Sequence, residues 1–261
     1  MRNPLSKKIV SVQPSGIRKF FDVANEMEDV ISLGVGEPDF DTPWRIREEG
    51  IFSLEKGRTF YTSNAGLMEL RTEICKYLER TIHVNYDPKK ETLITVGGSE
   101  AIDLALRCML DPGEEVLLPQ PSYVSYLPCT IMADGVPVIV ELKHENEFKL
   151  TVDDLKDKVT EKTKILVMPF PNNPTGSIMT KEDLEPIAKF VEEHDLFVIS
   201  DEIYSELSYK GDHVSIASLP GMRERTIVIN GFSKGFAMTG WRLGYCCGPQ
   251  VILKQMIKLH Q

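Results

Sequence analysis

The amino-acid sequence predicts an α/β fold of three layers, with helices on both faces of a mainly parallel central sheet. Six short apolar runs are rich in valine, isoleucine and leucine, which is typical of strands covered on both faces. Longer amphipathic segments alternate with these runs, as they do in βαβ units. The predicted strands are 92–96, 115–119, 136–142, 164–170, 196–200 and 226–230.

The predicted helices lie between and around these strands, at 66–81, 99–110, 151–159, 180–194 and, near the C-terminus, 251–261. Another helix is expected from Thr42 to about Lys56, with Thr42 as the N-cap and Pro43 at the first helical position. The N-terminal residues fit the alternation poorly. We therefore expect an arm and part of a small domain in 1–45, and one large domain in 46–261.

Composition and charge limit the classes of function. The chain has 261 residues, 42% of them hydrophobic and 26% charged, which is ordinary for a globular protein. A formal net charge of −9 argues against nucleic acid or an anionic membrane surface as the main partner. No apolar run reaches the length of a membrane span. Five cysteines without a CxxC motif favour free thiols in a reducing compartment, so we expect a cytoplasmic protein.

Polar groups follow four of the predicted strands, at the point where each strand ends. They lie in GGSE (97–100), PNNPTG (171–176), DEIY (201–204) and GFSKGFAMTGWR (231–242). In a fold of this class, ligands bind outside the carboxyl ends of the strands. We therefore expect the four segments to form one site.

The last of these segments contains a single lysine, Lys234, in otherwise apolar surroundings that include Phe232 and Trp241. A surface basic loop would have polar neighbours instead. Apolar surroundings disfavour the charged form of a lysine and lower its pKa. A lysine of this kind is a nucleophile for carbonyl carbon and forms Schiff bases.

The segment 97–100 is suited to an anion. Gly97 and Gly98 let the backbone approach a ligand closely, although a plain tight turn is the alternative interpretation. The amides of Ser99 and Glu100 begin a helix whose dipole favours negative charge. Arg242 adds a bidentate donor suited to phosphate.

Asp201, Asn173 and Tyr204 complete the candidate site. Asp201 either caps the next helix or holds a proton on a heterocyclic nitrogen, because opposite charges at hydrogen-bond range favour both charged forms. Asn173 and Tyr204 can bond a phenolate-like oxygen. A phosphate, a ring nitrogen, a ring oxygen and an aldehyde for Lys234 together describe pyridoxal 5′-phosphate; we predict no metal ligand.

With these residues, the sequence resembles the class I/II pyridoxal-phosphate-dependent aminotransferases of fold type I. It is most similar to the branch containing prokaryotic aspartate and aromatic aminotransferases. The most specific match is GFSKGFAMTGWRLG (231–244); the others, in the expected order, are LGVGEPDFDTP (33–43), YTSNAGLMELR (61–71), NNPTG (172–176) and SDEIY (200–204). The resemblance implies a homodimeric transaminase that exchanges amino and oxo groups between an L-amino acid and a 2-oxo acid.

Carried over by motif, the resemblance implies the chemistry of four residues. Lys234 would form the Schiff base with the cofactor and move the substrate proton. Asp201 would pair the ring nitrogen, and Tyr204 and Asn173 would bond the ring oxygen. Asn173 would also lie against the substrate.

The resemblance also implies the binding groups. The phosphate would be held by Gly98, Ser99, Glu100 and Arg242. Tyr123 would stack on the cofactor ring, Tyr61 would reach the phosphate of a partner subunit, and the amide of Gly36 would meet the substrate carboxylate. Many relatives have a serine at the position of Gly231, and Ser233 is the residue expected to compensate for it.

Two other functions remain open at this point. A carbon–sulfur β-lyase of the same fold shares the lysine, the aspartate and the asparagine. A non-catalytic aminotransferase-like domain, as in some transcription regulators, is the other alternative. The last residues, VILKQMIKLHQ (251–261), have an amphipathic helical pattern without a stop signal, so we expect the 261 residues to end inside a helix. The resemblance places the arginine for the substrate α-carboxylate beyond Gln261, so we expect the 261 residues not to complete turnover by themselves.

Overall fold

Seven strands form one sheet in the computed structural model, which describes residues 2–13 and 36–261. They are β1 (Thr92–Thr95), β2 (Glu115–Gln120), β3 (Val136–Glu141), β4 (Thr163–Met168), β5 (Phe197–Asp201), β6 (Thr226–Gly231) and β7 (Gly244–Cys247). Their order across the sheet is β1-β7-β6-β5-β4-β2-β3. The neighbours from β6 to β3 are all parallel, and β7 runs antiparallel to both β1 and β6. The predicted α/β fold with a mainly parallel sheet is confirmed.

Strand β7 is the one strand of the sheet that the sequence did not predict. It has four residues, all buried, and it follows directly on the segment that contains Lys234. Its Cys246 lies in register between Leu93 of β1 and Ile229 of β6. A short strand of glycine, tyrosine and cysteine has weak β-propensity, so its place between two apolar strands decides its conformation.

Helices cover both faces of the sheet. In the described residues they are α1 (Lys7–Ser11), α2 (Trp44–Glu55), α3 (Met68–Ile82), α4 (Gly98–Met109), α5 (Tyr126–Met132), α6 (Val152–Lys156), α7 (Lys181–Glu193) and α8 (Gln250–His260). The six predicted helices are present within a few residues; α1 and α5 were not predicted. None of the described helices combines the length and the apolar character needed to cross a membrane.

The predicted cap of α2 is wrong. Pro43 is the N-cap, and its helix has no side-chain capping bond. Thr42 is buried, and its hydroxyl donates to the backbone carbonyl of Ala237. The contact ties the start of α2 to the segment after β6, a long-range partner that local sequence does not reveal.

The two faces of the sheet explain the continuous apolar runs. In β6, Ile227 and Ile229 pack into a core with α4 and α8, whereas Val228 between them packs on the other face with α3. A third cluster joins β2, β4 and β5 to α7. Because helices cover both faces of the sheet, side chains on both sides of these strands are mainly apolar, and their sequences do not alternate between apolar and polar residues.

The predicted division at residue 45 stays a prediction. Residues 14–35, which are about half of the segment 1–45 and include the beginning of the motif at 33–43, lie outside the described residues. Near the N-terminus, Lys8 of α1 forms an ion pair of 2.8 Å with Asp134, beside the end of α5.

Candidate active site

The carboxyl ends of β1, β5 and β6 open on a cavity of about 410 Å³. Most of the predicted site residues line it: Gly36, Gly98, Ser99, Tyr123, Asn173, Asp201, Tyr204, Ser233, Lys234 and Arg242. Strand β1 is parallel to β6, since both are antiparallel to β7, and its end therefore lies at the same edge. The topology thus brings together segments that are far apart in the sequence.

Lys234 lies in the turn after β6 and is half-buried. Its Nζ donates to the backbone carbonyl of Gly36 and lies 5.7 Å from the centroid of the Tyr204 ring. Burial lowers the pKa of the Lys234 amine, while the negative charge of Glu37 acts in the opposite direction. The lowered pKa agrees with the apolar sequence around this lysine.

Asp201 is the last residue of β5, and only 7% of its surface is exposed. Its Oδ2 accepts a 2.7 Å hydrogen bond from the Tyr126 hydroxyl, and its Oδ1 a 3.3 Å bond from the amide of Ile203. Burial raises the pKa of the Asp201 carboxyl, and the two hydrogen bonds oppose this effect. Among the described residues it has no ion-pair partner, so Asp201 is a buried carboxyl group at the cavity wall whose charge is not paired.

Asn173 and Tyr204 contact each other at the wall of the cavity. Asn173 Nδ2 donates to Tyr204 Oη over 3.3 Å. Burial raises the pKa of the Tyr204 hydroxyl, so this hydroxyl stays protonated at neutral pH and can donate. A Cβ atom placed on Gly36 would lie 3.8 Å from Tyr204 Oη, which puts the Gly36 backbone beside the same group.

The part of the cavity at the start of α4 is suited to an anion. Gly97 is the N-cap of α4, with φ +79° and no side-chain capping bond, so the first amides of the helix remain available. A Cβ atom on Gly97 would lie 2.7 Å from Arg242 Nη2. The guanidinium of Arg242, which also donates to the carbonyl of Thr239 over 3.0 Å, therefore lies directly over the helix start.

Ser233 and Gly231 differ in their surroundings. Ser233 lines the cavity, whereas a Cβ atom on Gly231 would lie 3.1 Å from both Gly244 Cα and the carbonyl oxygen of Leu243. A serine at position 231 would require β6 and β7 to move apart. Ser233, together with Ser99, therefore provides a hydroxyl at the cavity wall, whereas position 231 does not.

Two predicted residues are not part of the cavity wall. The carboxylate of Glu100 accepts from the amide of Val96 over 2.5 Å and lies 3.0 Å from Nδ1 of His260. Only its backbone amide, in the first turn of α4, is directed by the helix toward an anion. Tyr61 is fully exposed, so its contact with a partner subunit stays a prediction.

Tyr126 is the important residue that sequence reasoning missed. It lies in α5, is 3% exposed, and contacts Asp201 directly. Its ring packs edge-on against Tyr123 with centroids 5.7 Å apart. The signal was present in PSYVSY (121–126), where the second tyrosine follows the first by three residues, the spacing of one helix face.

A second cavity of about 660 Å³ adjoins the first and shares Glu37 and Thr239 with it. The Thr239 hydroxyl donates to the Glu37 carboxylate at this boundary. The wall of the second cavity also carries Asp39 and Asp41. The two cavities thus meet at Glu37 and Thr239.

The family described as "Aminotransferase class I and II" matches residues 28–261. The chain belongs to this family. Class I and II aminotransferases use pyridoxal phosphate. The match includes every residue that lines the 410 Å³ cavity.

Individual aminotransferases are similar over nearly the whole chain. An aspartate aminotransferase of Pyrococcus abyssi is 53% identical over 97% of this chain and 66% of its own length. An aromatic-amino-acid aminotransferase of Thermococcus litoralis is 49% identical, again over 97% and 66%. The structure of the Thermus thermophilus aspartate aminotransferase with maleate has a TM-score of 0.94 at 39% identity and covers 100% of this chain and 68% of its own. The chain thus spans about two thirds of the length of these relatives.

Proposed function

We propose that this protein is a pyridoxal-phosphate-dependent aminotransferase that exchanges amino and oxo groups between an L-amino acid and a 2-oxo acid. The proposal is carried by the observation that Lys234 and Asp201 line the same cavity of about 410 Å³. This chemistry requires two groups: an amine with a lowered pKa, which is that of Lys234, and a buried carboxylate without an ion-pair partner, which is that of Asp201.

The residues of the cavity fit this cofactor. A buried carboxylate costs free energy unless it is paired, and the protonated ring nitrogen would supply the missing positive charge at Asp201. Gly97 leaves a cradle between the start of α4 and Arg242 that a Cβ atom would fill, and a phosphate suits its amides and guanidinium. The face of the Tyr123 ring would cover the cofactor ring.

When bound, the cofactor supplies an aldehyde for covalent attachment and a protonated ring that withdraws electrons from the substrate Cα. Asp201 keeps the proton on the ring nitrogen, and Tyr126 keeps Asp201 ionised by donating to Oδ2. Tyr204 and Asn173 orient the ring through its oxygen. Gly98, Ser99, Arg242 and the amide of Glu100 hold the phosphate, with Ser233 beside them.

Lys234 has two tasks in this proposal. Its amine would hold the cofactor covalently through the aldehyde, and the same amine would serve as the group that accepts and returns the proton of the substrate Cα. Burial lowers the pKa of the amine, which favours its neutral, proton-accepting form. The backbone of Gly36, which contacts Lys234 Nζ, is the group beside which the substrate carboxylate would bind.

The relatives support transamination over the alternatives. Those described above are aspartate and aromatic aminotransferases, and the solved structure of one of them contains maleate, a dicarboxylate. We infer that the amino donor is an acidic or aromatic L-amino acid. No observation favours the β-lyase or the non-catalytic alternative.

We also propose that the protein is a homodimer in the cytoplasm. Phe60 and Tyr61 are 88% and 107% exposed, and large aromatic side chains in such positions favour a partner surface. Tyr61 would then reach the phosphate in the partner's cavity. All five cysteines lie in the described residues and are free thiols, which suits a reducing compartment.

The test is a half-reaction assay. The full-length protein is loaded with pyridoxal 5′-phosphate, mixed with one amino acid at a time, and followed by its visible absorption, with 2-oxoglutarate used to reverse the change. We expect conversion with acidic or aromatic L-amino acids and none with their D-enantiomers. Release of sulfide or pyruvate from cysteine derivatives, without conversion of any amino acid, would favour the β-lyase instead.

A further inference from the structure

Glu202, the residue after Asp201, is a buried carboxylate that the proposed reaction does not use. It is 1% exposed and lies on the side of the strand opposite to Asp201, the side it shares with Ser200. Its Oε1 accepts from the hydroxyls of Ser200 over 2.9 Å and Ser215 over 2.5 Å. Its Oε2 lies 2.9 Å from Nε2 of His213. Burying a charge costs desolvation free energy even when the charge has three partners, so we expect this arrangement to have a role beyond stability.

The backbone of Glu202 connects it to the cavity. Its amide donates to the carbonyl of Ile229 over 2.8 Å, which continues the β5–β6 ladder past Asp201. Its carbonyl accepts from the amide of Ser205 over 2.9 Å and so closes the turn that carries Tyr204. The segment that presents Asp201 and Tyr204 to the cavity is therefore anchored through Glu202.

The other charged and titratable groups around Glu202 come from four elements. His213 belongs to the loop after β5, Tyr77 to α3 and Tyr245 to β7, while Tyr86 precedes β1. Burial raises the pKa of all three tyrosines, and the charge of Glu202 adds to the effect, so they stay neutral at physiological pH. His213 is thus the one group in contact with Glu202, among the described residues, that can carry a positive charge. Glu206, on the same loop, is exposed and accepts from Tyr77.

Two neighbouring buried carboxylates influence each other. The charge of Glu202 is one of the causes that raise the pKa of Asp201. By the same Coulomb interaction, a negative charge behind Asp201 stabilises positive charge in the cavity in front of it. The groups that would carry this positive charge are the ring nitrogen and the lysine-linked nitrogen of the bound cofactor.

We propose that Glu202, held by His213, Ser200 and Ser215, is a positioning residue that anchors the Asp201–Tyr204 segment and sets the electrostatic potential of the cofactor cavity from behind the strand. The inference rests on the proposed function, since it concerns the cavity's affinity for a cationic ring. Glu202 contacts neither cofactor nor substrate and acts through Asp201 and Tyr204.

The experiment is a pH titration of the visible absorption of the protein loaded with pyridoxal 5′-phosphate. In Glu202→Gln, which removes the charge and keeps the shape, we expect the midpoint to fall by about half a pH unit or more, because protonated nitrogens in the cavity lose a negative charge nearby. Glu206→Gln is the matched control, since it removes the same charge from an exposed position on the same loop. Its midpoint should stay at the wild-type value.

Ser200→Ala is the second variant, and it tests the inference by itself if Glu202→Gln fails to fold. It removes one of the donors that stabilise the buried charge of Glu202, which disfavours that charge without abolishing it, so we expect a smaller fall of the midpoint in the same direction. Thermal unfolding of the cofactor-free variants measures the purely structural effect separately. Two results would overturn the inference and leave the proposed function intact: an unchanged midpoint in Glu202→Gln, or equal shifts in Glu202→Gln and Glu206→Gln. If Glu202→Gln does not fold, an unchanged midpoint in Ser200→Ala has the same consequence. A wild-type protein that binds no pyridoxal phosphate would overturn both.

Discussion

The hydroxyl of Tyr126 donates a 2.7 Å hydrogen bond to Oδ2 of Asp201, and both residues are buried at the wall of the 410 Å³ cavity. Burial alone would favour the protonated, uncharged form of Asp201, because it raises the pKa of the carboxyl. The bond from Tyr126 opposes this and favours the carboxylate, the form that can hold a proton on a ring nitrogen. The balance between the two effects leads to the first prediction.

Tyr126→Phe should weaken the hold of Asp201 on the ring nitrogen. A hydrogen bond to a charged group contributes about 1.5–3 kcal/mol, so we expect a loss of roughly tenfold or more in the rate of the amino-acid half-reaction. Stopped-flow absorption of the cofactor-loaded protein measures it. The matched control is Tyr86→Phe, a buried tyrosine outside the cavity whose hydroxyl has no hydrogen-bond partner among the described residues. Equal effects of the two substitutions would show that the Tyr126 bond is not specific to the site.

Asp201→Asn should have opposite effects on activity and on the stability of the cofactor-free protein. It removes the charge that the ring nitrogen requires, and losing about 3 kcal/mol of transition-state stabilisation slows the half-reaction over a hundredfold. Without cofactor, the same change removes an unpaired buried charge, so the variant should melt higher than the wild type at pH 7.

The pH dependence of this stability difference follows from the raised pKa of Asp201. Above the ordinary aspartate pKa the unfolded wild type binds fewer protons than the folded form, so wild-type stability falls as the pH rises toward the folded-state pKa. The advantage of Asp201→Asn should therefore be largest above the folded-state pKa of Asp201, and shrink as the pH falls from that value toward the ordinary aspartate pKa. A variant that is less stable than the wild type at every pH would indicate that Asp201 has a structural role instead.

Gly97→Ala should reduce the affinity for the cofactor. The new Cβ would lie 2.7 Å from Arg242 Nη2 and must displace the guanidinium from the start of α4. We expect at least about a tenfold higher dissociation constant for pyridoxal 5′-phosphate, measured by fluorescence quenching, which corresponds to ~1.4 kcal/mol. Gly113→Ala is the control, because Gly113 has a similar positive φ of +89° but no atom within 4 Å of its Cβ position. Both variants carry the backbone strain of about 1–2 kcal/mol, and only Gly97→Ala should lose affinity.

The sequence predicted the fold well because most of the sheet consists of long apolar runs. Strands such as β4 and β6 are apolar on both faces, and their periodicity is independent of their partners. Strand β7 and the Thr42 contact with Ala237 were not predicted, since both depend on neighbours that are distant in the sequence. Position in the sheet, not local propensity, determines these features.

The candidate site was predicted to a similar extent and for a similar reason. Lys234, Asp201, Asn173 and Arg242 follow strands, so the fold class alone brings them to one edge. Tyr126 lies inside α5, away from any strand end, and only the packed structure reveals its contact with Asp201. For Glu100 the sequence indicated the helix start correctly, but it could not show that the carboxylate turns to Val96 and His260.

The central claim is that Lys234 attaches the cofactor, and chemical labelling tests it most directly. The protein is incubated with pyridoxal 5′-phosphate, reduced with borohydride and digested, and the modified peptide is identified by mass spectrometry, with Lys234→Ala treated in parallel. We predict one dominant label, on Lys234, and its loss in Lys234→Ala. A label that falls mainly on another lysine, or that persists in Lys234→Ala, would contradict the account.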